Sequence, residues 1–257
     1  MSDTTDLVDL LRKIGMRASR EAIDALLVHA TKTKASPAQL TEQLCTLEQR
    51  ERQARNLERR AKMATLGSPK PLDQFDWNHP RYIERDLYEH LLSSLDFIGR
   101  GDNVLFRGRP GVGKTTLAQN LGLRALQCGH TVRFCTLPTA LADLLRQESI
   151  PATERRLRRY ISPDLLILDE LGYVPCDSRA ADLLFHIVSR RHEARSIVIT
   201  TNLAYKQWPS VFPEASCLGA LIDRFAHHCH LIDIDAESWR HEEALIRAKG
   251  RKPKTVL

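Results

Sequence analysis

Gly108-Arg109-Pro110-Gly111-Val112-Gly113-Lys114-Thr115 is the stretch on which the reading of this chain turns. It fits the pattern G-x-x-x-x-G-K-[ST] without a mismatch. Its glycines let the backbone curl so that several N–H groups aim at one anionic group, and a following helix adds the positive end of its dipole. Residues 104–106 before it read as a short buried strand, and residues 114–128 after it as a helix that Gly129 stops. In that setting the stretch predicts a phosphate loop for a nucleoside triphosphate such as ATP. Lys114 reaches the β- and γ-phosphates, Thr115 ligates Mg²⁺, and Gly108 to Gly113 with Thr116 surround the phosphates.

Working outward, further strands are predicted over 131–135, 165–168, 197–201 and 231–234, with helices between them. One of those helices, 180–193, follows a cap at Asp177 or Ser178. Strands alternating with helices predict an α/β domain, a parallel sheet covered on both faces. The strand at 165–168 runs into Asp169 and Glu170. Two carboxylates at the end of a buried strand are costly unless they face a polar site. Asp169 is placed to hold Mg²⁺ beside Thr115, and Glu170 to act as general base on the attacking water. The strand at 197–201 ends at Asn202, either a turn residue or a group that orients the water or senses the γ-phosphate. Phosphate loop, acidic strand and polar-tipped strand, in that order, are the arrangement of P-loop ATPases with a catalytic glutamate. Arg224 and Arg240 flank the last strand. Each fits either a cation brought to the γ-phosphate or a partner for Asp223 or Glu237. A small-molecule kinase shares the loop. It needs an acceptor pocket and no arginine from a neighbour, so Glu170, Asn202 and Arg224 speak against it.

Ahead of this domain, residues 1–66 read as helix throughout. Leu7, Leu10, Leu11 and Ile14 recur at helical spacing, as do Ile23, Leu26, Leu27 and Ala30, and then Leu40, Leu44 and Leu47. Ser36-Pro37-Ala38-Gln39 has the makings of a capped helix start. The stretch 48–62 mixes acidic and basic residues and reads as a solvated face or a partner surface. Gly67-Ser68-Pro69-Lys70-Pro71 breaks the helix. The expected organisation is a helical N-terminal domain (1–66), a linker (67–71), an ATPase domain (72–245) and a basic tail (246–257).

Composition sets outer limits. The chain has 257 residues, 42% hydrophobic and 27% charged, with 12 Gly and 12 Pro, which excludes fibrous and low-complexity classes. Apolar runs such as 165–168 fall far short of the ~20 residues of a membrane span. The acidic opening MSDTTDLVDLL has no basic-then-apolar signal, and the six cysteines form no C-x-x-C pair. A cytoplasmic protein with reduced thiols and no membrane partner is expected. The net charge of +6 permits an anionic partner.

Several strings are more specific than the loop: Phe75-Asp76-Trp77, Asp96-Phe97-Ile98, Leu168-Asp169-Glu170-Leu171-Gly172-Tyr173, Thr201-Asn202-Leu203 with Trp208, Asp223-Arg224-Phe225-Ala226-His227, and Ser238-Trp239-Arg240. From Phe75 to Arg240 the chain resembles the IstB family, the AAA+ ATPase subunits of insertion-sequence transposons. DnaC-type helicase loaders are similar relatives. The resemblance implies a P-loop AAA+ core and a protein that forms a homo-oligomer with ATP on duplex DNA. It further implies contact with a transposase and help in selecting the insertion target. By the same resemblance Arg224 is the arginine finger reaching a neighbouring subunit's ATP, and Arg240 a sensor within its own subunit. Two departures are mild: Thr116-Leu117 where relatives often have a His, and Ala204-Tyr205 in place of a small-then-Phe step. The stretch after Ile234 is short for a full helical lid, so a reduced or absent lid is expected. The alternative function is a helicase loader, which prefers single strands.

Three basic clusters remain. Arg155, Arg156, Arg158 and Arg159 form one, Arg190-Arg191-His192 another, and Arg247, Lys249, Arg251, Lys252 and Lys254 lie in the tail. Without interleaved aromatics they suit sequence-tolerant contact with the DNA backbone. Arg190 and Arg191 also suit the end of a helix. His227-His228-Cys229-His230 invites a zinc reading, but neighbours on a strand point to opposite faces and do not converge on one ion. No metal other than Mg²⁺ is expected.

Overall fold

The computed structural model describes residues 3–173, 177–213 and 215–239. The chain divides into two compact units, Met1–Arg60 and Ala61–Leu257.

The first unit holds α1 (Asp3–Lys13), α2 (Arg20–Thr33) and most of α3 (Pro37–Ala64). The start of α3 is a reciprocal cap: the Ser36 N–H donates to Gln39 Oε1 at 2.8 Å, and the Gln39 N–H to Ser36 Oγ at 3.3 Å. Val8, Leu11, Ala18 and Ile23 form the small core, with Leu27, Leu44 and Leu47 against it. The stripe expected on α1 is turned by one position. Val8 and Leu11 face inward, while Leu7, Leu10 and Ile14 are exposed. So few helices cannot cover two flanks of α1.

The second unit is an α/β domain. It contains β1 (Tyr82–Ile83), α4 (Arg85–Ser94), α5 (Asp96–Arg100), β2 (Asn103–Gly108), α6 (Lys114–Gln127) and β3 (Val132–Thr136). There follow α7 (Leu137–Leu145), α8 (Ile150–Ile161), β4 (Leu165–Leu171), α9 (Ser178–Arg191), β5 (Ser196–Thr201), α10 (Leu218–Ala226) and β6 (Cys229–Asp235). The sheet order is β1-β6-β2-β5-β4-β3. All pairings are parallel except the two-residue edge strand β1, which runs antiparallel to β6. Because side chains alternate along a strand, each strand serves two cores. Leu105, Leu166, Leu168, Ile197 and Ile199 pack with residues of α7, α8, α9 and α10. On the opposite face α6 packs across β2, β3, β4 and β5. Gly122 permits that approach: an added Cβ would lie 2.8 Å from Ile167 Cδ1 and 3.1 Å from Leu66 Cδ2.

The segment 61–71 belongs to the larger unit. Ala64 and Leu66 are buried, and α6 binds the backbone beyond them, Gln119 Nε2 donating to the Leu66 carbonyl and Asn120 Nδ2 to that of Lys70, each at 2.9 Å. The break between units therefore lies within α3 rather than at the Gly/Pro-rich stretch. The expected lid, the basic tail and Arg240 lie outside the described residues. No helix among the described residues is long and apolar enough to cross a membrane.

Candidate nucleotide site

The parallel order brings the carboxyl ends of β2, β4 and β5 side by side, and the site is built there. Between β2 and α6 the loop turns through Gly111 (φ +84°) and Gly113 (φ +96°), conformations that side chains rarely adopt. Gly113 is constrained twice, since an added Cβ would also lie 2.5 Å from the Phe75 ring. Lys114 is almost fully buried, and its Nζ donates to the carbonyls of Gly108 and Arg109 at 2.8 Å each. The ammonium is thus held at the mouth of the loop.

On β4, Asp169 is buried and doubly held. Thr115 Oγ1 lies 3.0 Å from both of its carboxylate oxygens, and Thr200 Oγ1 donates to Oδ1. Glu170 sits at an irregularity within β4. Its φ is +66°, the β4–β5 register shifts between Leu168 and Leu171, and its N–H donates to Thr200 Oγ1 at 3.1 Å. A left-handed Glu is strained, and such strain is held only where surroundings enforce it. Here it turns Glu170 into the same cavity that Thr115 lines.

That cavity, about 300 Å³, is lined by the loop from Gly111 to Thr116, by Glu170, Tyr173 and Thr200, and by Lys70, Pro71, Gln74, Phe75, Asp76, His79 and Trp239. Phe75 packs edge-on to Trp77 at 4.8 Å, and His79 edge-on to Trp239 at 5.0 Å. Trp239 is anchored to the loop through its backbone N–H, which donates to the Gly111 carbonyl at 3.2 Å. One end of the cavity is aromatic and the other is a nest of N–H groups with a lysine, a shape for a base joined to phosphates. Thr115 and Asp169 together offer a hydroxyl and a carboxylate, the oxygen donors that Mg²⁺ takes. The residues fit both ATP and Mg²⁺.

The other expected residues fall as follows. Gly108 and Arg109 take part through their carbonyls, while Pro110 is exposed. Asn202 is exposed at the end of β5 beside Gly172; Thr200, two residues earlier, is the β5 side chain that lines the cavity. Arg224 lies on the α9–α10 face, where it donates to Ser189 Oγ and sits 4.8 Å above the Phe185 ring. Glu237 pairs with Arg81 at 3.3 Å and Arg109 at 3.8 Å. Arg155, Arg158 and Arg159 are exposed on α8. Arg156 is taken by Asp143, and Arg190 by Glu154 at 2.6 and 2.7 Å. Arg191 is corrected outright: it is fully buried and cannot reach DNA. Its guanidinium donates to the carbonyls of Tyr160, Ile161, Pro163, Asp164 and Ser196, and burial pulls its pKa down to about 9. Five backbone acceptors, not phosphates, compensate its charge. The residue-by-residue reading missed Thr200 and the aromatic end of the cavity. Phe75 and Trp239 were visible as parts of the specific strings, whereas nothing in spacing singled out Thr200 or His79.

A parallel sheet of this order, with a phosphate loop after β2 and an acidic pair on β4, defines a P-loop nucleotide-binding protein of the AAA+ class. The chain belongs to the IstB-like ATP-binding protein family, which matches residues 9–246. It is 35% identical to the ATP-binding protein of insertion sequence IS21 from Pseudomonas aeruginosa, over 93% of this chain and 89% of that protein. It is 32% identical to that of IS5376 from Geobacillus stearothermophilus, over 90% and 92%. Among solved structures, DnaI matches with a TM-score of 0.51 at 18% identity, covering 58% of this chain and 81% of that one. The replication initiator DnaA bound to AMPPCP and single-stranded DNA matches at 0.51 and 17%, covering 71% and 59%. At such identities the structures speak for the fold alone.

Proposed function

We propose that this protein is an ATP-hydrolysing assembly factor for transposition: it oligomerises with ATP on duplex DNA and helps an insertion-sequence transposase select its target. The observation that carries the ATPase reading is the strained turn at Glu170, which aims a carboxylate into a cavity lined by Lys114 and by Thr115, the latter bonded to Asp169. The transposition reading rests on the named insertion-sequence relatives. They favour it over a helicase loader, whose support is likeness of fold.

In this mechanism Glu170 accepts a proton from water as the water oxygen attacks the γ-phosphorus. The bond from that phosphorus to the β–γ bridging oxygen breaks, ADP and phosphate leave, and the proton passes to solvent. Lys114 and the loop N–H groups neutralise the phosphates. Mg²⁺, when bound at Thr115 and Asp169, supplies further charge neutralisation. Asn202 orients the water, Arg240 senses nucleotide within the subunit, and Arg224 serves the ATP of a neighbouring subunit. Arg155, Arg158 and Arg159 meet the DNA backbone, and hydrolysis ends the assembly.

The test uses Glu170→Gln, which keeps ATP but slows hydrolysis at least about 100-fold. Its binding to random-sequence duplex and single-stranded DNA is measured with and without ATP across a salt series. ATP-dependent duplex binding that weakens steeply with salt is expected. Preference for single strands would replace this reading with the helicase loader. Nucleotide-independent binding would remove DNA from the ATP cycle.

A further inference from the structure

Two motifs left over from the nucleotide site meet in space. His192 closes the Arg190-Arg191-His192 cluster at the end of α9, and His227 opens the histidine run at the end of α10. His227 lies in the turn before β6, where strand alternation does not apply, and its ring is 4.0 Å from that of His228. His227 converges with His192 and Glu193: each of the three offers a donor atom, and these atoms all lie within 4.8 Å of one another. His227 Nδ1 is 3.6 Å from Glu193 Oε1, and the two imidazoles stack with centroids 5.5 Å apart. Ligands around a tetrahedral Zn²⁺ stand about 3.3 Å apart, given metal–ligand bonds of ~2.0–2.1 Å. Side-chain rotation of about an ångström closes the remaining gap.

The two turns that carry these ligands are anchored in the core. Asn103, buried at the start of β2, donates from Nδ2 to the Phe225 carbonyl at 2.9 Å and accepts the Ile197 N–H at 2.9 Å, so one side chain ties the end of α10 to the start of β5. Its own N–H donates to the His228 carbonyl at 2.8 Å. Arg191 locks the end of α9 through the Ser196 carbonyl, among others. Glu193 itself is held at φ +57°, its backbone packed where an added Cβ on Gly101 would lie 2.8 Å from the Glu193 carbonyl carbon. The ligands thus project from fixed backbone, and ordering them on a metal costs only side-chain freedom.

We propose that His192, Glu193 and His227 form a second metal site, for a divalent transition ion of the Zn²⁺ type. Two imidazoles and one carboxylate are nitrogen-rich donors that select Zn²⁺ over Mg²⁺. Three protein ligands leave a fourth position open to water. The site lies at the amino ends of β5 and β6, whereas the phosphate loop follows the carboxyl end of β2, parallel to both, so it is separate from the nucleotide's Mg²⁺.

The test titrates untagged full-length protein with Zn²⁺ in excess Mg²⁺, and with Co²⁺ by visible absorption. One equivalent is expected to bind, with a Co²⁺ spectrum lacking the thiolate charge-transfer band that exposed Cys45 or Cys128 would give. Loss of a supporting partner alone costs about 10–100-fold in affinity, so His227→Ala, and separately His192→Ala, should weaken binding at least ~100-fold. Glu193→Gln, which keeps the side-chain volume, should weaken it as well, while Cys45→Ser with Cys128→Ser leaves it unchanged. Zn²⁺ should raise the melting temperature of wild type and not of His227→Ala. Absence of a stoichiometric site, or its survival in the His192→Ala/His227→Ala double variant, overturns the proposal.

Discussion

Thr200 links the two acidic residues of the site. Its hydroxyl donates to Asp169 and accepts the Glu170 N–H at 3.1 Å, and it is almost entirely buried. Holding Glu170 in the left-handed region costs about 1–3 kcal/mol. Thr200→Val keeps the shape and removes both hydrogen bonds, leaving a part-buried N–H unmatched at a cost of about 1 kcal/mol. The turn is expected to relax. Steady-state kinetics should find kcat for ATP hydrolysis reduced about 10-fold or more. KM should stay nearly unchanged, because the phosphate loop is intact, and Thr200→Ser should restore the rate. A change confined to KM would return Thr200 to a role in binding. That Lys114, Thr115, Asp169 and Glu170 come together was legible in the chain, the first two from the loop pattern and the carboxylates from their place at the end of a buried strand. Thr200 was not, since a threonine in a β-strand is ordinary until its neighbours are known.

At the scale of elements, Glu48 shows how a charge that looks solvated becomes structural. It lies on α3 in a stretch of mixed charge, yet is buried, and its Oε2 accepts the N–H groups of Arg17 at 2.7 Å and Ala18 at 2.8 Å. Those N–H groups lie just ahead of α2 and have no helical partner. Burial alone would raise the Glu48 pKa. The two N–H groups, with Arg55 and Arg52, outweigh it and hold the carboxyl below its usual range. A lowered folded pKa means stabilisation that is complete above the ordinary carboxyl pKa of about 4.3 and lost as pH falls through the folded value. Glu48→Gln in the full chain should therefore speed amide hydrogen exchange in α1 and α2 at pH 7, corresponding to a loss of about 1–3 kcal/mol. The difference from wild type should shrink as the solution is acidified below pH 4. Equal exchange at pH 7 would make the contact energetically empty. Capping signals such as Ser36 with Gln39, and Asp177, whose carboxylate accepts the Ala180 N–H at 2.7 Å, were readable because they are local. The Glu48 contact spans some thirty residues and was not.

At the scale of the molecule, the sheet order sets what one subunit can do alone. The carboxyl ends of β2, β4 and β5 assemble Lys114, Thr115, Asp169 and Glu170, while Arg224 stays on the α9–α10 face against Ser189 and Phe185. If Arg224 serves a neighbour, Arg224→Ala should bind ATP as wild type does but hydrolyse it about 10³-fold more slowly or worse. Mixing it with Lys114→Ala subunits, which are expected not to bind ATP, should restore part of the activity per mole of protein. No recovery at any mixing ratio would assign Arg224 to its own subunit. The phosphate loop, the acidic strand, the alternation of strand and helix and the N-terminal helices were determined by local sequence, since each follows from spacing within a few turns of chain. Tertiary structure alone decided which of these arginines are taken by hydrogen-bonded partners. Arg156, Arg190 and Arg191 resemble Arg155, Arg158 and Arg159 in sequence, but Asp143, Glu154 and five carbonyls claim the first three. A charge announces itself in the sequence, whereas its partner is set by contacts between residues far apart in the chain. The same reason joins His192 and Glu193 to His227 and makes Thr200 the link between Asp169 and Glu170.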